Sequence, residues 1–376
     1  MAIKTLDLER SQLECFIRLP HEIYRHDTRW IPPLHKDVYD QISAGSPFLQ
    51  KKGNSFRHFL TLSGNRLLGR ITAMVNVDMK DRDTMPAGLL GFFECQEDYN
   101  VAADLLNASI AWLRDHHGLR RIWGPMNFDI WHAYRFMTRG FDQKPFYGEP
   151  YNKPYYPEFF ERYGFSVKQE WDSIEVCGRQ NLEGLLPRGE ERYRLLVEKG
   201  YRFEHLNVGR LVSELRKLQA VLTDSFSGFL GFTPISPEEF VRLYSPCRYA
   251  LNPRLAIFVY DEEDELAGFA LALIDLADAA QAMNDRDDLF SRLRFLARRR
   301  HADCVNFYAG GLTQKEMAKN SGLGRAGYAY VIRQIINAGY ERMIQSLIIK
   351  NGFSHALAGP HRKNIVREYA LYEFCL

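Results

Sequence analysis

Apolar positions in this chain alternate with polar ones in some stretches and recur every three or four residues in others, which separates strands from helices. RHFLTL and RLLGRITAMVNV flank Ser63-Gly64-Asn65, a turn signal between two apolar runs, and predict a β-hairpin. GLLGFFEC reads as the next strand. Val101, Leu105, Ala108 and Trp112 then share one face of a helix over about 101–116, and Gly118 stops it before the strand in RRIWG.

The same order returns later in the chain. LAIFVY and LAGFALALI flank Asp261–Glu265 and predict a second hairpin, followed by the strand CVNFYAG. A helix with Tyr328, Val331, Ile332 and Ile335 on one face comes next, and Gly339 precedes the strand in MIQSLII. Leu67, Gly69 and Ala73 align with Leu266, Gly268 and Ala272 without a gap. The longer spacing in the second copy fits a helical insertion near 275–303. Before the second hairpin, Leu211, Leu215, Leu218 and Leu222 trace an amphipathic helix, and Ser236-Pro237-Glu238-Glu239 starts another with a capping box. The expectation is an α+β chain of two similar halves, each a mixed, mostly antiparallel sheet flanked by helices. The boundaries read as 1–180, a connecting segment 181–204, and 205–376.

Composition narrows the class. A length of 376 residues suits two domains, and 46% hydrophobic with 26% charged residues is a globular balance. The net charge of +2 makes no case for nucleic acid binding by the whole molecule. One local exception is Arg292, Arg294, Arg298, Arg299 and Arg300, either a solvated helix face or a contact for an anion. No apolar run approaches a signal peptide or the roughly 18 residues of a membrane span. The expectation is therefore a cytoplasmic protein without membrane contact. Six scattered cysteines lack a CxxC pair, and no His or carboxylate pattern marks a metal site, so no metal is expected.

The order of elements resembles the GNAT (GCN5-related N-acetyltransferase) fold. YYPEFFERYGF, with Tyr156, Phe160, Gly164 and Phe165, is similar to the short helix that leads into the last strands of a GNAT domain. GPMNF (124–128), RGFD (139–142) and YNKPYY (151–156) are similar to a group of bacterial tandem GNAT-like proteins of this length. The resemblance implies an N-acyltransferase that uses acetyl-CoA or another acyl-CoA as co-substrate and acts on a small-molecule or peptide amine. It equally admits an aminoacyl-tRNA-dependent transferase of the Fem type, with tRNA as partner, or a non-catalytic binding protein that kept the fold.

In a GNAT domain a glycine-rich turn at a helix N-terminus receives the pyrophosphate through backbone N–H groups. Ser321, Gly322, Gly324, Arg325, Ala326 and Gly327 fall on that turn in the second half. Ser321 stands where the family has Gln or Arg, and Arg325 supplies positive charge instead. The preceding strand, with Phe307, Tyr308 and Ala309, would offer the N–H that polarises the thioester carbonyl. The corresponding first-half segment, CQEDYNVAAD, has no glycine and carries acidic residues, so that half reads as the acceptor side. For proton transfer the candidates are Tyr372 as acid and Glu94 or Glu341 as base. The loops holding Asn127 and Trp131, and Tyr151, Asn152 and Tyr155, combine amides with planar rings and are candidate substrate-binding segments.

Overall fold

The computed structural model describes residues 2–6, 8–81 and 83–376. The chain opens with β1 (Ala2–Thr5), α1 (Arg10–Ile23), α2 (His35–Ile42) and α3 (Pro47–Gln50). The first hairpin is β2 (Ser55–Ser63) and β3 (Arg66–Lys80), followed by β4 (Pro86–Cys95), α4 (Tyr99–His117) and β5 (Arg121–Gly124). Then come β6 (Phe136–Arg139), α5 (Tyr155–Tyr163), β7 (Ser166–Cys177), α6 (Arg179–Glu183), α7 (Pro187–Glu198) and β8 (Arg202–His205). Helices α8 (Leu211–Phe226) and α9 (Pro237–Tyr244) precede the second hairpin, β9 (Ala256–Tyr260) and β10 (Leu266–Ile274). The insertion forms α10 (Ala277–Met283) and α11 (Leu289–Arg299). The chain ends with β11 (Cys304–Leu312), α12 (Gln314–Lys319), α13 (Leu323–Asn337), β12 (Arg342–Ile349), α14 (Phe353–Leu357) and β13 (Ile365–Cys375).

Local chemistry accounts for the boundaries. Gly118 ends α4 in the left-handed region at φ 67°, where a glycine carries no Cβ penalty. Ser236 caps α9 by accepting from the Glu239 N–H. Of the predicted face of α4, Val101, Leu105 and Trp112 are buried and Ala108 partly so; the buried arc is wider and adds Ile110 and Leu113, which join Leu90 and Phe160 in the same core, each large apolar side chain contributing about 1.5–3 kcal/mol. In the second half, Val331, Ile332 and Ile335 of α13 pack on Val305 and Met343 in the matching position.

All strands lie in one sheet of order β1-β2-β3-β4-β5-β13-β7-β12-β11-β10-β9-β8, with β6 added to β13. The only parallel pairs among the described residues are β4 with β5 and β11 with β12, each joined through its crossover helix, α4 or α13. This repeats the GNAT-like order in both halves. The last strand does not stay with the second copy. β13 lies between β5 and β7, pairing Tyr372 with Gly124 and Tyr369 with Trp171. β7 in turn carries on to β12, pairing Val176 with Met343. The two halves therefore exchange their closing strands and share an unbroken hydrogen-bonded ladder.

Candidate functional site

In both halves the parallel strands pair briefly and then part. β11 and β12 are in register from Cys304–Arg342 to Phe307–Gln345; beyond that point β12 follows β7 and β11 follows β10. A register shift at Tyr308 and a second one at Ser346–Leu347 bend the strands away from each other. The edge of β11 beyond Phe307 is left without a strand partner on the β12 side. Phe307 is buried against the ring of Tyr328, 4.9 Å away, while Tyr308 and Gly310 are exposed. Asn306, fully buried at the mouth of the divergence, accepts from Ser346 Oγ (2.7 Å), and its Nδ2 has no acceptor among the described residues.

The equivalent divergence in the first half is filled by the chain itself. After β5, Met126 N–H donates to Leu90 O, and Asn127 Oδ1 accepts from Phe92 N–H (2.9 Å). A Cβ on Gly91 would lie 2.4 Å from Asn127 Oδ1 and 2.6 Å from Met126 O, so the gap has no spare room. Asn127 thus closes the first-half opening. Trp131, from the same loop, donates through Nε1 to Thr233 O (2.8 Å) and packs on Phe232 and Phe240 beneath the second half.

The remaining first-half candidates divide between structural and open positions. Asn152 bonds both backbone groups of Met137. Tyr151 donates to Asp27 (2.7 Å). Tyr155 donates to Cys95 O and lines a cavity of 480 Å³ with Glu97 and Lys153. Glu94 pairs across the sheet with Arg70 and accepts from Tyr156 Oη (2.7 Å). Burial pushes its carboxyl above the ordinary value, with Arg70 and Tyr156 opposing. Tyr372 is buried in the first-half core and donates to Glu161 (3.0 Å), because β13 crosses into that half. Glu341 is exposed beside β12 and contributes its backbone carbonyl to Gly178 N–H (2.7 Å).

At the start of α13, Gly322 takes the left-handed conformation (φ 84°), and Ser321 Oγ caps Leu323 N–H (3.1 Å). Ser321 also donates to Glu316, a carboxylate only 1% exposed that accepts from Tyr201 Oη as well. Ala326 and Gly327 face the core, and Gly324 abuts the ring of Phe353. The turn itself is therefore capped from within. Beside it lies a cavity of 820 Å³ between α13, the start of α7 and the segment after α14. Arg188, Arg325, Arg362 and Lys363 line it together with Tyr328, and no carboxylate among the described residues does. None of these four cations is in an ion pair among the described residues, although basic residues elsewhere in the chain are compensated. At the second hairpin tip, for example, Lys315 and Lys319 neutralise the grouped carboxylates of Asp261, Glu263 and Glu265.

Above the strand divergence sits a pair that sequence reading missed. Asp172, 1% exposed, is opposite Ile348 in the β7–β12 ladder, and His355 Nε2 of α14 lies 3.1 Å from its Oδ2. Gln345 ties this helix to the divergence, donating to Ser354 O (2.6 Å) while its Oε1 accepts from Tyr328 Oη. Burial raises the Asp172 carboxyl above its usual range and His355 works against that. His355 itself is half-buried.

No family model matches the chain. Among curated proteins it is 24% identical over 277 residues to protein YghO of Escherichia coli, covering 74% of this chain and 69% of that one. It is 25% identical over 271 residues to the bacterial ceramide synthase of Caulobacter vibrioides, covering 72% and 69%. The glucosamine N-acetyltransferase region of a fungal multi-domain β-N-acetylglucosaminidase superposes with a TM-score of 0.53 at 14% identity, over 99% of this chain and 38% of the other. A GCN5-related N-acetyltransferase from Anabaena variabilis superposes with a TM-score of 0.51 at 8% identity, over 99% and 72%. With the paired strand divergences, the crossover helices and these superpositions together, the chain has the fold of the GCN5-related N-acetyltransferases it superposes on.

Proposed function

We propose that the protein is an N-acyltransferase that draws its acyl group from a coenzyme A thioester held by the second half. The observation that carries this reading is the cavity beside α13, where four unpaired cations face one space. A coenzyme A molecule presents phosphates at one end, and guanidinium groups bind phosphate through paired N–H donors. The other end would reach the divergence of β11 and β12, where the free donor of Asn306 and the unpaired edge of β11 await acceptors. Acyl transfer to an amine needs a proton removed from the nucleophile, and His355, oriented by Asp172, is the group for that step. A β11 N–H beyond Phe307 would polarise the carbonyl.

For the acceptor, the likeness to a ceramide synthase favours a long-chain amine, since a ceramide is the amide of such a base. The filled divergence in the first half supports a single donor site rather than two.

Thermal shift and calorimetry with free CoA, acetyl-CoA and palmitoyl-CoA test the donor. Stabilisation of about 2.7 kcal/mol is expected at a hundredfold excess over Kd, and it should vanish in an Arg188→Glu, Arg362→Glu protein of unchanged fold. Stabilisation by none of the three would overturn the reading. Binding of charged tRNA instead would favour the Fem-type activity.

A further inference from the structure

Helix α11 turns its apolar side away from the protein. Leu289, Phe290, Leu293 and Leu296 are 69%, 76%, 54% and 46% exposed, whereas Ser291 is fully buried and Phe295 packs on Tyr249. At about 100° per residue the four exposed side chains, with Ala297, occupy one arc of the helix. Arg292 and Arg299 border it on one side, and Arg294 and Arg298 on the other; Arg300 follows at the C-terminal end. Arg292 is paired with Asp287, and Asp288 caps the helix and pairs with Arg286. The other four arginines have no ion pair among the described residues. Tyr249, half exposed, extends the apolar surface beside Phe295.

A soluble helix normally buries its apolar stripe and exposes its charges. Here the stripe and its arginines face outward together, the arrangement that lies in a bilayer interface with aliphatic groups below and cations at headgroup level. We infer that α11 docks this protein on the surface of an anionic membrane. The charges favour this occupant over a second copy of the chain, because a twofold contact through α11 would bring the uncompensated arginines of both copies together. No helix among the described residues is long and apolar enough to cross a membrane. The expectation of no membrane contact rested on the lack of such a segment and does not extend to a helix lying on the surface. The inference does not depend on the acyl donor. It adds a physical route to a lipid amine.

Co-sedimentation with vesicles of phosphatidylcholine, with and without phosphatidylglycerol, tests the docking in the full chain. Binding is expected only to the anionic vesicles and should fall as salt is raised. Arg298→Ala with Arg299→Ala should weaken it about thirtyfold. Phe290→Ser with Leu293→Ser should abolish it while leaving CoA binding intact, which separates failure here from failure of the donor reading. Equal sedimentation with both vesicle types, or undiminished binding by either double variant, would overturn the inference. So would a concentration-dependent dimer in analytical ultracentrifugation that the Phe290→Ser, Leu293→Ser change dissolves.

Discussion

Nε2 of His355 lies 3.1 Å from Oδ2 of Asp172, although the two residues come from α14 and β7, elements of different halves. The two atoms meet as an ion-pair approach, without the alignment of a hydrogen bond, and the imidazole is the more accessible of the two residues. A buried carboxylate this close to a half-buried imidazole favours a proton on the ring nitrogen that faces it.

Replacing His355 by Ala is expected to lower turnover by at least about a hundredfold with little change in donor affinity. Asp172→Asn should lower turnover without lowering the melting temperature. The sign follows from the raised Asp172 value: the folded state favours the protonated carboxyl. That advantage is complete below the ordinary value of 3.8 and is lost as pH rises through the folded value. At neutral pH an uncharged amide therefore removes no stabilising charge. Wild-type turnover in either variant would take the pair out of the reaction.

Gly91→Ala should destabilise the protein by about 3 kcal/mol, because the new methyl meets both Asn127 Oδ1 and the Met126 carbonyl. Asn127→Ala, which removes one hydrogen bond, should cost about 1–2 kcal/mol. Denaturant melts would measure both. If the first-half divergence were a ligand site, Asn127→Ala would instead raise KM for donor or acceptor at unchanged stability.

His58 sets a pH limit on the fold. It is 1% exposed, with Nε2 against Ile42 O (3.0 Å) and Nδ1 against Thr72 Oγ1 (2.7 Å), and burial lowers it from 6.5 to about 4. Its folded value is depressed, so its contribution is complete above pH 6.5 and declines as pH falls toward 4. That decline is about 3 kcal/mol in all. Urea melts between pH 7 and 4.5 should show a shallower loss in His58→Gln than in the native chain. Parallel curves would exclude His58 as the cause.

Deleting residues 365–376 should unfold the first half as well as shorten the second. β13 supplies hydrogen bonds to β5, β6 and β7 and places Tyr369, Ala370 and Tyr372 in the cores there. Circular dichroism and limited proteolysis would report it; an intact first half in the shortened chain would contradict the strand exchange.

The sequence made the local pieces legible. Both hairpins, α4 and α13 follow from alternation and helical spacing, which need only neighbours along the chain. The likeness of the halves was readable for the same reason. The place of β13 was not, because YALYEF is an apolar strand that would fit either sheet, and register between distant strands leaves no local mark. For the cavity beside α13, only Arg325 stood out, since it adjoins the glycine turn; Arg188, Arg362 and Lys363 come from separate segments that the fold brings together. Asn127 drew notice for its polar, aromatic surroundings, yet it caps a backbone N–H of β4. The outward apolar arc of α11 escaped as well: spacing gives an amphipathic helix but not the direction in which it points.

The exchanged strand also orders events in time. A ribosome delivers residues 1–180 long before residues 365–375, so during synthesis the gap between β5 and β7 waits for its occupant. The emerging first half can form its hairpin and α4 but cannot close its sheet. Its completion is deferred to a strand made almost two hundred residues later, roughly the length of a further domain, and the open edges meanwhile are surfaces for a chaperone or for misassembly between nascent chains.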